Sequence, residues 1–108
     1  MTDTRPTGDN HPLGRFAPGL VQYTDEVLFG QVWERQALTP KERSLVTVSS
    51  LVAGGNPDQL RFHLKFAIEN GNTKEELIEA ITHLAFYAGW PKAMSAMNVA
   101  KDVLSDLP

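Results

Sequence analysis

The chain has 108 residues, of which 42% are hydrophobic and 21% charged, with no cysteine and a formal net charge of −3. This length fits one ordinary domain with a modest core, and the composition is that of a globular protein rather than a disordered one. The acidic balance argues against binding to a nucleic-acid backbone, which requires a basic face. The lack of cysteine excludes disulfides, thiolate metal ligands, cysteine nucleophiles and CxxC redox chemistry.

The first fourteen residues are polar and contain two prolines and two glycines. We interpret residues 1–14 as a flexible N-terminal arm and residues 15–108 as one domain. The arm lacks the apolar segment of a secretory signal, and no apolar run in the chain approaches the roughly 18 residues of a membrane span. We therefore expect a cytoplasmic protein that has no membrane partner.

Helix signals recur along the domain and predict an all-α fold of about five helices, because no segment shows the alternation of a strand. The first helix begins at Pro18 and continues with apolar residues at helical spacing, namely Leu20, Tyr23, Val27, Leu28 and Val32. The second, over about residues 40–54, follows a capping box formed by Thr39 and Glu42.

The remaining three helices have equally clear boundaries. Asn56 is the predicted N-cap of the third helix, and Gly71 ends it. A second capping box over residues 73–76 begins the fourth helix, which Gly89 ends. The last helix begins at Pro91 and runs to about residue 106.

Two helices present more apolar surface than a small bundle needs. The second helix is apolar nearly all round, and the last carries a stripe of small residues that permits close helix approach. One 108-residue bundle would struggle to cover both surfaces, so we predict a homo-oligomer. The alternative is a compact monomeric bundle.

Two histidines, His63 and His83, lie at the edges of helical core stripes and are candidate general acid–base groups. Glu79 precedes His83 by one helical turn, so the two side chains can touch, and the carboxylate would then set the protonation or tautomer of the imidazole. The alternative is that both are helix-edge histidines bonded to their neighbours. We predict no metal site, since the chain offers no HxxxH pair and no thiolate.

Two arginines and several aromatic residues are candidate substrate-binding groups. Arg43 lies early in the most apolar helix, so its charge needs an anionic ligand, helix-end carbonyls or an ion pair with Glu42 or Glu34. Arg35 is a second candidate. Three aromatic residues, Trp33, Tyr87 and Trp90, would form an aromatic wall of the site or else belong to an ordinary core or interface.

Three blocks of sequence form a recognisable pattern. They comprise Phe29-Gly30-Gln31-Val32-Trp33-Glu34-Arg35 with Arg43-Ser44-Leu45-Val46-Thr47-Val48, then Leu60, His63, Ala67 and Asn70-Gly71, and finally Glu75-Glu76-Leu77-Ile78-Glu79, His83-Leu84-Ala85 and Tyr87-Ala88-Gly89-Trp90-Pro91. Across Phe29 to Leu104 the chain resembles the carboxymuconolactone decarboxylase family of the AhpD-like superfamily.

The resemblance implies an all-α protomer that assembles into rings, commonly trimers or hexamers. It also implies a cofactor-free reaction that converts γ-carboxymuconolactone into 3-oxoadipate enol-lactone and CO2 during bacterial aromatic catabolism. The peroxidase branch of the superfamily uses a glutamate, a CxxC motif and a histidine. Here His63 matches that histidine, but Asn56 and Gln59 occupy the cysteine positions. Peroxidase activity by the thiol route is therefore excluded.

The resemblance also suggests roles for the candidate residues. His63 would donate a proton to carbon, and Arg43 or Arg35 would hold a substrate carboxylate. Glu79 and His83 would form a second acid–base pair or a structural pair. The decarboxylase branch often has Glu-Glu-Leu where this chain has Asp-Gln-Leu at residues 58–60. The alternative function is a non-catalytic or differently specific oligomer that binds a small metabolite or another protein.

Overall fold

A computed structural model describes residues 5–108, which contain five α-helices and no strand. The all-α prediction is confirmed for these residues. The helices are α1 (Pro18–Tyr23), α2 (Pro40–Gly54), α3 (Pro57–Glu69), α4 (Lys74–Ala88) and α5 (Trp90–Leu104). None of these helices has both the length and the apolar character needed to cross a bilayer. The chain divides into two compact units, one ending at Leu38 and the other comprising Thr39–Pro108.

In the first unit, the single helix predicted from Pro18 to Val32 is divided in two. The α-helical α1 gives way to a π-helical segment, Thr24–Val32. At the junction the Thr24 hydroxyl donates a hydrogen bond to the Leu20 carbonyl over 2.8 Å. Such a bond within the helix competes with the regular backbone ladder. The five apolar residues that predicted this helix have side chains exposed to solvent: Leu20, Tyr23, Val27, Leu28 and Val32.

Asp25 connects this segment to the residues before α1. Its Oδ1 accepts a hydrogen bond from Arg5 Nη1 at 2.7 Å, and its Oδ2 accepts one from the Gly8 backbone N–H at 2.9 Å. The Gly8 bond, followed by the Arg5 bond, lowers the pKa of the Asp25 carboxyl. A 3-10 turn spans Gly8–Asn10. The flexible arm expected over residues 1–14 stays a prediction, and residues 1–4 of it lie outside the described part of the chain.

The second unit is built so that α3 and α4 each pack against both α2 and α5. The apolar stripes predicted for α3, α4 and α5 face inward and form its core. Fully or nearly buried members are Val48, Val52, Leu60, Leu64, Ala67, Leu77, Ile81, Ala85, Ala93, Ala96, Val99, Ala100 and Leu104. Three alanines of α5 are among them, and their small side chains let the neighbouring helices approach closely.

The ends of these helices follow the predicted capping with one exception. Both capping boxes are present. The side chains of Thr39 and Thr73 each accept a hydrogen bond from the backbone N–H three residues later, and the glutamate side chain at that later position accepts one from the backbone N–H of the threonine. Gly55 ends α2 with a φ of 69°, a left-handed conformation that favours glycine. The N-cap predicted at Asn56 is wrong in its mechanism, since the Asn56 side chain makes no capping hydrogen bond.

Two asparagines after α3 hold its end against the beginning of α2. Asn70 Nδ2 donates to the buried Ser44 hydroxyl over 2.8 Å. The buried Asn72 Nδ2 donates to the Lys41 carbonyl over 3.1 Å and to the Ala67 carbonyl over 3.3 Å. These bonds join the end of α3 to the beginning of α2, as an antiparallel helix pair requires.

We expect Thr73→Ala to lower the free energy of unfolding by about 1 kcal/mol, because it removes the hydroxyl that accepts the Glu76 N–H at the start of α4. Chemical denaturation followed by circular dichroism measures the change. Thr82→Ala is the matched control, since the Thr82 hydroxyl only donates to the Ile78 carbonyl within the same helix. Equal destabilisation by the two variants would contradict a capping role for Thr73.

Candidate active site

An open groove of about 690 Å³ lies between α2 and α4. Its lining combines an apolar floor with acidic and imidazole groups on one rim, and consists of Leu45, Ser49, Glu75, Glu76, Glu79, Ala80, His83 and Leu84. The polar groups come from successive turns of α4, because positions three and four residues apart share one face of a helix. The groove has the size of a small-molecule site.

Glu79 and His83, predicted as a pair, line this groove together. Within the described residues no hydrogen bond or ion pair joins their side chains, although both line the groove. The His83 ring instead packs on the exposed Tyr87 ring, with centroids 5.0 Å apart. Tyr87 therefore extends the His83 surface beyond the groove, and it is not one of the groove-lining residues.

The carboxylates of the groove differ in whether they are free to contact a ligand or are already bound within the protein. Glu76 is engaged by its capping box and by Lys41 Nζ, which lies 3.0 Å from its carboxylate. The Thr73 backbone N–H, followed by the Lys41 bond, lowers the pKa of Glu76 and keeps it ionised. Glu75 and Glu79 are exposed and are the carboxylates that a ligand in the groove would meet.

His63 lies in a different environment, half-buried on α3. Edge-on contacts surround its ring, with the Phe62 centroid at 5.0 Å and the Phe66 centroid at 6.2 Å. Burial lowers the pKa of His63 below its ordinary value, because the charged imidazolium loses its hydration among apolar groups. Burial therefore favours the neutral form of the imidazole.

Helical spacing indicates where Arg43 and His63 lie relative to the boundary between α2 and α3. Asn70 lies two turns beyond His63 on α3 and reaches Ser44 of α2, so this edge of α3 borders α2. The other edge of α3 is occupied by Arg61, which pairs with Asp102 of α5. Arg43 directly precedes Ser44 and is half-buried. It lies about 200° around α2 from Leu45 of the groove.

The second unit thus places the predicted polar residues on two sides of α2. Glu79 and His83 line the groove with α4, whereas Arg43 and His63 lie on the side that borders α3. The remaining candidates, Trp33 and Arg35, belong to the first unit. There the Trp33 ring stacks on Phe29 with a centroid separation of 5.8 Å, and Arg35 is exposed.

Ser49 and Glu75 are among the groove residues that sequence reasoning did not select. Glu75 lies one turn before Glu79, so the spacing that singled out Glu79 and His83 already contained the signal. Ser49 had no such signal, because its place in the groove depends on how α2 packs against α4. Its hydroxyl donates to the Leu45 carbonyl over 2.8 Å. Among the described residues, no group of three His, Asp or Glu side chains has an arrangement that could hold a metal ion.

Comparison with known proteins decides the family. The sequence profile of the carboxymuconolactone decarboxylase family matches residues 18–102. The chain belongs to this family. The match covers both units of the structure and includes every candidate residue. The resemblance inferred from the sequence motifs is therefore confirmed.

Three relatives illustrate the range of the family. The chain is 41% identical over 95 residues to a 4-carboxymuconolactone decarboxylase from Acinetobacter baylyi, an alignment that covers 88% of this chain and 71% of that protein. It is 37% identical over 82 residues to the nitrosuccinic acid decarboxylase npaB from Metarhizium robertsii, covering 76% and 57%. It is 27% identical over 100 residues to an uncharacterized 15.0 kDa protein from Paracoccus denitrificans, covering 91% and 75%.

We expect the burial of His63 to make the stability of the protein pH-dependent. Its pKa is depressed in the folded state, so its contribution to stability is present above the unfolded value of about 6.5 and is lost as pH falls through the folded pKa. Between pH 7.5 and 5 the thermal midpoint of the wild type should fall more than that of His63→Gln. His11→Gln is the control and should retain the wild-type slope; equal slopes in all three proteins would contradict the assignment.

Proposed function

We propose that the protein is a carboxy-lyase that removes CO2 from a small lactone carboxylate, converting γ-carboxymuconolactone into 3-oxoadipate enol-lactone in aromatic catabolism. The observation that carries this proposal is the 41% identity, over 88% of the chain, to a protein named 4-carboxymuconolactone decarboxylase. The second named relative is also a decarboxylase. A cytoplasmic location remains a prediction from the sequence.

The reaction requires an electron sink and a proton. When the carbon–carbon bond to the carboxylate breaks, CO2 leaves and its bonding pair enters the unsaturated lactone as an enolate. One proton must then be added to the ring carbon, so the overall change consumes the carboxylate and one proton and releases CO2. A protein serves this reaction by holding the carboxylates, stabilising the enolate oxygen and delivering the proton.

His63 and Arg43 suit the two central roles. The half-buried His63 has a depressed pKa, so as an imidazolium it is a ready acid toward carbon, and an anionic substrate nearby would restore its affinity for the proton. Arg43, half-buried on α2, would hold a substrate carboxylate through paired hydrogen bonds. Arg35 is the alternative carboxylate anchor.

The other candidates have supporting roles in this proposal. Glu79 and His83 in the α2–α4 groove would form a second acid–base pair or a structural one. Trp33 and Tyr87 stay candidate substrate-binding residues from the sequence, Trp33 in the first unit and Tyr87 packed on His83 of the second. The reaction as proposed uses these residues alone and requires neither a cofactor nor a metal ion.

A second candidate is a decarboxylase of the same chemistry with a different substrate. The relative named for nitrosuccinic acid supports it, because a nitro group and an unsaturated lactone both accept the electron pair that departing CO2 leaves behind. The glutamine at position 59 also departs from the carboxylate that is frequent there in the decarboxylase branch. Without either activity, the chain would be a non-catalytic oligomer that binds a small metabolite.

We also propose that the protein is a homo-oligomer, in keeping with the trimers or hexamers of its family. Large apolar side chains are exposed where α4 meets α5: Phe86 (74%), Tyr87 (79%), Trp90 (56%) and Met94 (56%). Val46 on α2 is also 59% exposed, so α2 is not buried on most sides within one chain. Contiguous apolar surface of this kind is typical of subunit interfaces.

We expect His63→Ala to lower kcat about 10²- to 10⁴-fold, the range for loss of a general acid. Arg43→Gln should raise KM about tenfold or more, the effect of losing a charge-assisted hydrogen bond. CO2 release and loss of ultraviolet absorbance of γ-carboxymuconolactone measure turnover. His11→Ala is the matched control and should keep full activity, because the His11 ring accepts a hydrogen bond from the Leu13 N–H of its own turn and lies in the first unit.

The outcomes of this experiment separate the candidates. Wild-type activity in His63→Ala would remove His63 from the mechanism. CO2 release from nitrosuccinate but not from the lactone would establish the second candidate. Failure of the wild type to release CO2 from either compound would favour the non-catalytic reading.

We expect Phe86→Glu to dissociate the oligomer, because a carboxylate would have to be buried among Tyr87, Trp90 and their counterparts in the neighbouring subunit. Analytical ultracentrifugation at micromolar concentration gives the mass of each species. Lys65→Glu, on the exposed face of α3, introduces the same charge elsewhere and should leave the mass unchanged. A monomeric wild type would refute the proposed assembly.

A further inference from the structure

A second groove, of about 300 Å³, lies between α4 and α5 and includes none of the candidate active-site residues. Residues from the first two turns of α4 form one wall, and the C-terminal half of α5 forms the other. Its lining is Lys74, Ile78, Met97, Ala100, Lys101, Leu104 and Ser105. Its volume is at the lower limit for small-molecule sites, so it would suit a compact ligand.

The groove has an apolar floor and a rim of hydrogen-bond donors. Ala100 and Leu104 are each 2% exposed and close the bottom, while Ile78 is 37% exposed and forms part of the apolar wall. The side-chain polar groups of the lining are two ammonium groups and one hydroxyl. No carboxylate lines the groove, although the chain as a whole carries a net charge of −3.

The two lysines are close to one end of the α4–α5 pair. Lys74 is the first residue of α4, and its Nζ donates to the Leu107 carbonyl over 2.9 Å, which fixes the ammonium group at the groove. An ammonium group has three N–H donors, so two of them are available beyond that bond. Lys101 lies in the last turn of α5, where the helix dipole favours a positive charge.

We propose that this groove binds a small amphipathic carboxylate of about the size of octanoate. The carboxylate would accept hydrogen bonds from the ammonium groups of Lys74 and Lys101. The hydrocarbon part would lie on Ile78, Met97 and Leu104. Charge complementarity decides the class of ligand, because the donors match an anion and the floor matches an apolar tail. The inference is independent of the proposed reaction, since the two sites have no residue in common.

Methyl NMR spectroscopy of the full chain, titrated with octanoate, tests the proposal. We expect chemical-shift changes at the methyl groups of Ile78, Met97, Ala100 and Leu104. Octylamine and octanol carry the same tail without the carboxylate and should bind more weakly. Shift changes confined to other parts of the protein, or equal binding of the three compounds, would overturn the proposal.

Variants of the lining residues test how much the lysine charge contributes to octanoate affinity. Lys101→Gln should weaken octanoate binding about two- to fivefold, as expected for a solvent-exposed ion pair, and Ile78→Asp should abolish it. Lys65→Gln, an exposed lysine on α3, is the matched control and should bind like the wild type. Equal affinities in Lys101→Gln and Lys65→Gln would overturn the role of the rim. Methyl resonances of the groove that shift with protein concentration and not with octanoate would show that a second copy covers the groove. That result would also overturn the proposal.

Discussion

Close packing against the small-residue face of α5 is the constraint on which the second unit depends. Ala93, Ala96 and Ala100 are nearly buried, and α3 and α4 pack beside them. Helices whose contact positions carry only methyl groups can approach to the short end of the usual interaxial range of about 8–10 Å. A larger side chain there would displace α3 and α4, and with them His63, Glu79 and His83, without touching any of these three residues.

Helix α2 lies between two chemical environments. On the α4 side, exposed carboxylates and His83 surround an open groove. On the α3 side, burial beside phenylalanine rings lowers the pKa of His63. His63 and His83 therefore differ in solvent exposure within one small unit. The proposed reaction centres on His63, because burial lowers its pKa and makes its imidazolium form a stronger proton donor.

Local sequence signals predicted most of the fold. Both capping boxes and the terminating Gly55 set helix ends through contacts within a few residues, and such contacts are visible in the sequence. Two local predictions were wrong. Asn56 occupies the N-cap position without making its bond, and the hydroxyl of Thr24 takes the Leu20 carbonyl where the helix changes pitch. The candidate site was less predictable, since spacing places Glu79 beside His83 but cannot fix their rotamers. The Ser44–Asn70 bond joins residues 26 positions apart and had no local signal.

The connections between α2, α3, α4 and α5 are short, and one of them is the single residue Gly89, which ends α4 and begins α5. Its φ of 104° lies in a region that favours glycine, and the connection contains no other residue that could adopt this conformation instead. Joining helices through so few residues costs little chain entropy, and neighbouring helices then meet soon after they form. We therefore expect the apolar stripes of this unit to be exposed for a shorter time during folding than those of a protein with distant strand pairings.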